Sequence, residues 1–237
     1  MSEAAPVAEA VLRPFGESAL VVEFGDTVEP ETQRRVRQLT ARLDASAAPG
    51  LLEVVPSFRS VLIEFDPAVT DGEALLAALP DVEEDDAAPA RTWRVPVRVD
   101  AEAAEDAAEA AEALGIDVAT LHERLLASEL SVGMYGFVPG NCYMTGVDPS
   151  LSLPRRTRPR PPVPAGSLII AVGQAVFLPV SMPTGWYVVG RTTARMFDVE
   201  ARPPVPFAVG DRVRLRAVEP AEFAALMERN DRGVEAL

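Results

Sequence analysis

The pattern of apolar and polar positions separates an N-terminal part with mixed strands and helices from a later part made mostly of strands. In the N-terminal part, residues 17–24 and 58–65 are rich in β-branched and aromatic residues, and each run is followed by turn residues. Such runs predict strands, and residues 51–55 are a candidate third strand.

Apolar residues spaced as on one face of a helix lie between and after these strands. Val36, Leu39 and Leu43 recur as one helix face in a stretch that begins near Pro30, and a second short helix is predicted over 71–79. The resulting β-α-β-β-α order predicts a small α+β sandwich with its helices on one face of an antiparallel sheet.

The pattern changes after residue 90. A strand over 92–99 is followed by a predicted helix over 101–114 and by another that begins at Asp117. Beyond these lie short apolar runs with Pro and Gly between them, which predict a closed or nearly closed β-barrel. The predicted strands are 130–136, 167–172, 175–180, 186–190 and 211–218.

The boundary between the two parts is predicted in the acidic stretch 81–90, which has no apolar periodicity. The predicted domains are residues 1–88, residues 89–219, and a C-terminal helix and tail over 220–237. The proline-rich segment 138–165 is long for a loop in a compact domain, and such loops are usually functional.

Charge is distributed unevenly between these parts. The net charge is −14 and the sequence pI is about 4.6, which argues against nucleic acid as the main partner. Residues 150–216 nevertheless contain ten Arg against three acidic residues. Such a stretch suits a small anionic ligand, although the same arginines could equally decorate exposed strands and a loop.

Composition excludes several kinds of chemistry. All 22 basic residues are Arg, so no Schiff-base or Walker lysine is present. One Cys and one His cannot supply a zinc site, and no other metal cluster is evident. No apolar run is long enough to span a bilayer and the N-terminus lacks a signal-peptide pattern, so we expect a cytoplasmic protein with no membrane partner.

Candidate chemistry falls at predicted strand ends. The stretch 133–140 brings Tyr135 and Phe137 into a glycine-rich turn, whereas Gln174 and Arg191 supply an amide and a cation. His122 is the one imidazole available as a general base, and it could equally be an ordinary half-buried helix residue. Cys142 is either a packed thiol or, if it met His122, a nucleophile.

Many short motifs lie in one order along residues 12–218. They include Phe15-Gly16, Gly136-Phe-Val-Pro-Gly140, Val163-Pro-Ala-Gly-Ser167, Gly185-Trp186 and Gly190-Arg-Thr192. Through these motifs the chain resembles the KipI / allophanate hydrolase subunit 1 family, which includes the B-type subunit of bacterial 5-oxoprolinase and the matching carboxyltransferase region of urea carboxylase.

This resemblance implies a fold and an assembly. The fold would be α+β, a small α+β N-terminal domain followed by a cyclophilin-like β-barrel. The partners would be an allophanate hydrolase subunit 2-like protein and, in the 5-oxoprolinase system, a LamB/YcsF-type subunit. Together they would open 5-oxoproline, a small anionic substrate, to glutamate with ATP, which would be bound with the partner, or would have an activity of the allophanate hydrolase or urea carboxylase type.

The resemblance also implies site residues. The catalytic set would be His122 for proton transfer or positioning, Gln174 to orient an amide or lactam carbonyl, and Arg191 to bind the anion. The expected substrate-binding residues are Tyr135, Phe137, Gly140, Tyr143, Arg155, Arg156, Gly173, Trp186 and Thr192.

The chain departs from the family pattern at several positions. The family usually has an aromatic residue where this chain has Asn141, and small residues where it has Val172 and Val176; Cys142 lies in the same altered turn. These side chains occupy space that a ligand could use, so a changed substrate or lost catalysis is expected. A rival function from the same family is a KipI-like regulator that binds and inhibits a sensor histidine kinase.

Overall fold

The structure is a computed structural model that describes residues 10–78, 90–229 and 231–237. These residues form two compact units, one on each side of residues 79–89. The predicted acidic linker and the predicted boundary at 88/89 lie outside the described residues, as do Leu79 and the first nine residues.

The first unit is a four-stranded antiparallel sheet with two helices. Its elements are β1 (Val11–Pro14), β2 (Ala19–Glu23), α1 (Pro30–Ser46), β3 (Leu51–Pro56), β4 (Ser60–Phe65) and α2 (Gly72–Ala77), with the strands in the order β1-β2-β4-β3. The predicted stripe Val36, Leu39 and Leu43 is fully buried in the core of this unit.

The second unit is a β-barrel. It contains β5 (Thr92–Arg98), α3 (Ala107–Leu114), α4 (Val118–Ala127), β6 (Leu130–Tyr135), β7 (Cys142–Thr145), β8 (Arg160–Val163), β9 (Ser167–Ala171), β10 (Gln174–Phe177), β11 (Met182–Thr184), β12 (Tyr187–Thr192), β13 (Arg212–Ala217), α5 (Pro220–Met227) and β14 (Glu235–Ala236). The sheet order β12-β9-β10-β7-β6-β13-β5 closes because β12 also pairs with β5. Only the β5–β13 pairing is parallel among the described strands.

Helices α3 and α4 share one apolar core with the barrel interior. Ala110 on α3 and Leu121 and Leu125 on α4 belong to the same buried cluster as Leu168 and Phe177 of the barrel strands. The buried residues of each helix therefore lie on the face that packs on the barrel.

A two-stranded ribbon, β8 paired with β11, packs on the outer face of the barrel. Side chains alternate along a strand, so Leu168 and Ile170 of β9 point into the barrel while Ile169 and Ala171 pack with the ribbon. Because the strand is covered on both faces, β9 is apolar at every position after Ser167.

The architecture confirms the predicted fold class, α+β with a small N-terminal domain followed by a cyclophilin-like β-barrel. Two local predictions were wrong. The segment 138–165 contains β7 and β8 rather than loop alone, and α3 begins at Ala107 rather than at residue 101. Pro161 and Pro162 hid β8, which tolerates them because it pairs on one side only.

Candidate functional site

A cleft of about 300 Å³ lies between the ribbon and the outer face of β7, β9 and β10. It is lined by Phe137, Asn141, Tyr143, Arg155, Ile169, Val176, Leu178, Met182, Pro183, Thr184, Gly185 and Trp186. Four of the predicted site residues are therefore brought together here: Phe137, Tyr143, Arg155 and Trp186.

Strand register builds the floor of this cleft. Val176 of β10 lies directly between Tyr143 of β7 and Ile169 of β9 in the two antiparallel pairings. All three side chains consequently share one face of the sheet, the face turned away from the barrel interior. The Val176 side chain, which replaces a small residue of the family pattern, is thus part of the cleft floor.

Aromatic rings form much of the wall. The rings of Tyr143 and Trp186 meet edge to face, with centroids 6.1 Å apart. The Phe137 side chain is 81% exposed, and its backbone has φ +76°, a left-handed conformation that is unusual for an aromatic residue. Flat apolar surfaces of this kind suit a small planar group.

The turn that carries Phe137 is held closely against a second loop. The Asn141 side chain donates a hydrogen bond to the Gly136 carbonyl, and the Asn141 amide donates one to the Val138 carbonyl. Gly140 has φ +80°, and a Cβ there would lie 2.7 Å from the Met196 carbonyl oxygen. Glycine is therefore required at this position.

Arg155 supplies the positive charge of the cleft. It is exposed, and it has no ion pair with any residue of the described ranges. A free guanidinium beside aromatic rings is suited to bidentate binding of a carboxylate.

Arg156 points away from the cleft. Its guanidinium lies 2.7 Å from a carboxylate oxygen of Glu109 and 3.2 Å from one of Asp106, and its Cζ lies 5.1 Å from the centroid of the Tyr187 ring. Its charge is therefore already neutralised within the barrel unit.

The predicted residues Gln174 and Arg191 do not line the cleft. Gln174 begins β10 opposite Ala171, beside Gly173 at the hairpin tip, and is half-buried. Arg191 of β12 lies opposite Ser167 on one side and Arg98 on the other.

Thr192 and Gly140 contact neighbouring backbone and do not line the cleft. The Thr192 hydroxyl accepts a hydrogen bond from the Ala194 amide at 3.0 Å, and its own amide donates to the Gly166 carbonyl. Like Gly173 and Gly140, Thr192 is absent from the cleft lining.

His122 is half-buried on α4 and also lies outside the cleft lining. Its Nε2 is buried without a hydrogen-bond partner among the described residues, and burial lowers the pKa of the imidazole. The ring is therefore neutral at pH 7.

Tyr135 and Cys142 are neighbours across the β6–β7 pairing. The Tyr135 hydroxyl donates to the Phe207 carbonyl at 3.0 Å, and burial raises the pKa of this phenol. Burial also raises the pKa of the Cys142 thiol to about 12, so the thiol stays protonated and is a poor nucleophile.

Sequence reasoning missed the ribbon side of the cleft, in particular Met182, Pro183 and Thr184. These residues are far along the chain from Tyr143 and come close only through the β8–β11 pairing, which proline concealed. Of the residues on the cleft floor, Tyr143 was predicted from the family resemblance. Ile169 was not, because it lies in the apolar run of β9 and nothing in the sequence distinguishes it from its apolar neighbours.

Two kinds of feature are absent from the described part of the chain. No group of three or more His, Cys, Asp or Glu side chains is placed to hold a metal ion there. Across residues 10–78, 90–229 and 231–237, no helix has the length and apolar character needed to cross a membrane.

Comparison with known proteins defines the class. Residues 10–207 match the family described as carboxyltransferase domain, subdomain C and D, and the chain belongs to that family. It is 26% identical to the B-type subunit of 5-oxoprolinase from Bacillus subtilis over 234 residues, which cover 93% of this chain and 98% of the relative. It is 30% identical to the corresponding 5-oxoprolinase subunit from Escherichia coli O157:H7, covering 84% and 92%.

Solved structures show the same fold. The crystal structure of TTHA0988 is 31% identical with a TM-score of 0.75, and the match covers 85% of this chain but only 40% of the TTHA0988 chain. The urea amidolyase of K. lactis is 19% identical with a TM-score of 0.74, covering 99% of this chain and 17% of that one. The chain thus spans less than half the length of these two proteins.

Proposed function

We propose that this chain is the B-type subunit of an ATP-dependent hydrolase complex that opens a cyclic amide bearing a carboxylate, with 5-oxoproline as the leading substrate. The observation that carries the proposal is the cleft in which Arg155, which has no ion pair within the described residues, lines the same pocket as Tyr143 and Trp186. The names and near-complete coverage of the 5-oxoprolinase relatives support the same class of reaction.

Each cleft group has a role suited to such a substrate. Arg155 would bind the carboxylate with two N–H donors, and the faces of Tyr143 and Trp186 would contact the flat lactam ring. Ring opening breaks the amide C–N bond and adds the elements of water, while ATP is hydrolysed to ADP and phosphate. The carboxylate contact fixes where the ring binds in the cleft.

The cleft does not fit ATP itself. A triphosphate carries several negative charges, whereas the cleft offers a single arginine among mainly apolar and aromatic groups. The chain also lacks a phosphate-binding glycine loop and any lysine. We therefore assign ATP to a partner subunit and derive no step through it in this chain.

The proposed activity requires partner subunits. The matching region of TTHA0988 is 40% of a longer chain, so in that protein it is covalently joined to further sequence. For this chain we propose separate companions, an allophanate hydrolase subunit 2-like protein and a LamB/YcsF-type subunit. His122, Gln174 and Arg191 lie outside the cleft, so the proposal does not place them against the lactam.

Co-expression with companion genes of these two types tests the proposal. We expect a purified complex that releases ADP and glutamate in equal amounts when 5-oxoproline is added, and that loses this activity when the present chain is omitted. If the complex forms but its ATP hydrolysis does not depend on an added lactam, the proposal is contradicted. Binding to a sensor histidine kinase with inhibition of its autophosphorylation would instead support the regulatory alternative.

A further inference from the structure

Asp106, the residue immediately before α3, is a buried carboxylate with an unusual set of contacts. It is 3% exposed, and one of its oxygens accepts a hydrogen bond from the Val188 amide at 2.8 Å. The Asp106 amide in turn donates to the Val188 carbonyl at 2.9 Å. Asp106 is therefore fixed to the barrel strand β12.

Two arginines from the segment beside the cleft converge on this carboxylate. Arg160, the first residue of β8, forms an ion pair with Asp106 and a second with Glu105 at 2.6 Å. Arg156 lies 3.2 Å from the same Asp106 oxygen and 2.7 Å from Glu109. We call Asp106, Arg156 and Arg160 the clasp.

The clasp connects directly to the ribbon side of the cleft. The Arg156 amide donates to the carbonyl of Gly185, a lining residue, at 2.8 Å, and Arg160 is the register partner of Thr184, another lining residue. Arg155 precedes Arg156 in the chain. Anchoring Arg156 on α3 consequently leaves the adjacent Arg155 to project into the cleft.

We propose that the clasp is a positioning device that holds Arg155 at the geometry needed to bind a carboxylate. This inference rests on the proposed function of the cleft. The clasp also neutralises Arg156 and Arg160, whereas Arg155 has no ion pair within the described residues. The clasp therefore accounts for two arginines of this segment, Arg156 and Arg160, that do not line the cleft.

Asp106→Asn tests the clasp in the assembled complex. The amide is the same size and keeps an oxygen for the Val188 amide, but it loses both ion pairs. We expect the KM for 5-oxoproline to rise by about 10-fold with kcat within about twofold, because binding geometry is disturbed and the chemistry is not. Inhibition by 2-pyrrolidinone, a lactam without a carboxylate, is expected to change by less than about twofold.

A double-mutant cycle separates positioning from general structure. In an Arg155→Met background, Asp106→Asn is expected to add less than about a further twofold to KM, because the group that the clasp positions is already gone. Arg160→Gln provides the same test should Asp106→Asn fail to fold. Arg158→Gln, an exposed change in the same segment outside the cleft lining, is the matched control and is expected to leave KM unchanged.

The outcomes distinguish the two proposals. An unchanged KM in Arg155→Met would contradict the proposed function itself. A raised KM in Arg155→Met with a normal KM in both Asp106→Asn and Arg160→Gln would overturn the clasp alone. Equal weakening of 5-oxoproline and 2-pyrrolidinone would show that the clasp only stabilises the fold, and would also overturn the inference.

Discussion

The Tyr143 phenol and the Trp186 indole pack edge to face, with ring centroids 6.1 Å apart and an interplanar angle of 65°, across the floor and wall of the cleft. Tyr143 comes from a barrel strand, whereas Trp186 follows the ribbon strand β11. Their contact therefore joins the barrel to the ribbon at the place where we propose that substrate binds.

This aromatic contact predicts a binding defect on truncation. Tyr143→Leu removes the ring but keeps an apolar side chain, so we expect ligand affinity to fall by about 3- to 10-fold, as the loss of an aromatic pair implies. The KM for 5-oxoproline in the assembled complex measures this effect. Tyr143→Phe, which keeps the ring, serves as the control, and a full loss of affinity in that variant would contradict the role assigned to the ring.

Asp211 is expected to be a major determinant of barrel stability. This buried carboxylate accepts hydrogen bonds from the Trp93 indole at 2.7 Å and from the Arg91 and Ala208 amides at 2.9 Å each. Asp211→Ala leaves these three donors without their acceptor, so the free energy of unfolding should fall by about 3 kcal/mol. Urea denaturation measures this loss, and a change below about 1 kcal/mol would show that these donors find other partners.

Burial of His122 predicts a pH dependence of stability. Its pKa is lowered in the folded protein, so the unfolded chain binds the proton first as pH falls. The contribution of His122 to stability is therefore complete above the ordinary histidine pKa of about 6.5 and is lost as pH falls below it. His122→Gln should flatten the fall in Tm between about pH 7 and pH 5.5; an unchanged slope would contradict the assignment.

Gly140 permits a backbone that other residues resist. Gly140→Ala adds both a strained left-handed conformation and a Cβ 2.7 Å from the Met196 carbonyl oxygen. Gly115→Ala is a matched comparison, because Gly115 has φ +68° but its Cβ would meet nothing within 4 Å. We expect Gly115→Ala to cost about 1–2 kcal/mol and Gly140→Ala distinctly more, as measured by urea denaturation; equal costs would contradict the close contact.

Sequence patterns predicted the elements that rest on local periodicity. Val36, Leu39 and Leu43 indicated α1, and the short apolar run within 167–172 indicated the strand β9. The ribbon strand β8 was missed because its two prolines obscured the pattern of a strand that pairs on one side only.

The site was less accessible to sequence reasoning. Motifs drew attention to Arg155, Arg156 and Arg191 together, but the sequence could not say which guanidinium would remain free. The answer depends on where Asp106 and Glu109 lie relative to Arg156. These residues are about 50 positions apart in the chain and are brought together only by the fold. The roles predicted for His122, Gln174 and Arg191 remain predictions.

The most direct test of the account is the dependence of 5-oxoproline binding on the charge of Arg155. In the assembled complex, Arg155→Met should raise the KM for 5-oxoproline by about 10- to 100-fold, the loss expected for a charge-assisted contact, while Arg155→Lys recovers part of the affinity. Inhibition by the neutral 2-pyrrolidinone should be unchanged in both variants. A KM for 5-oxoproline that does not respond to either substitution would contradict the account.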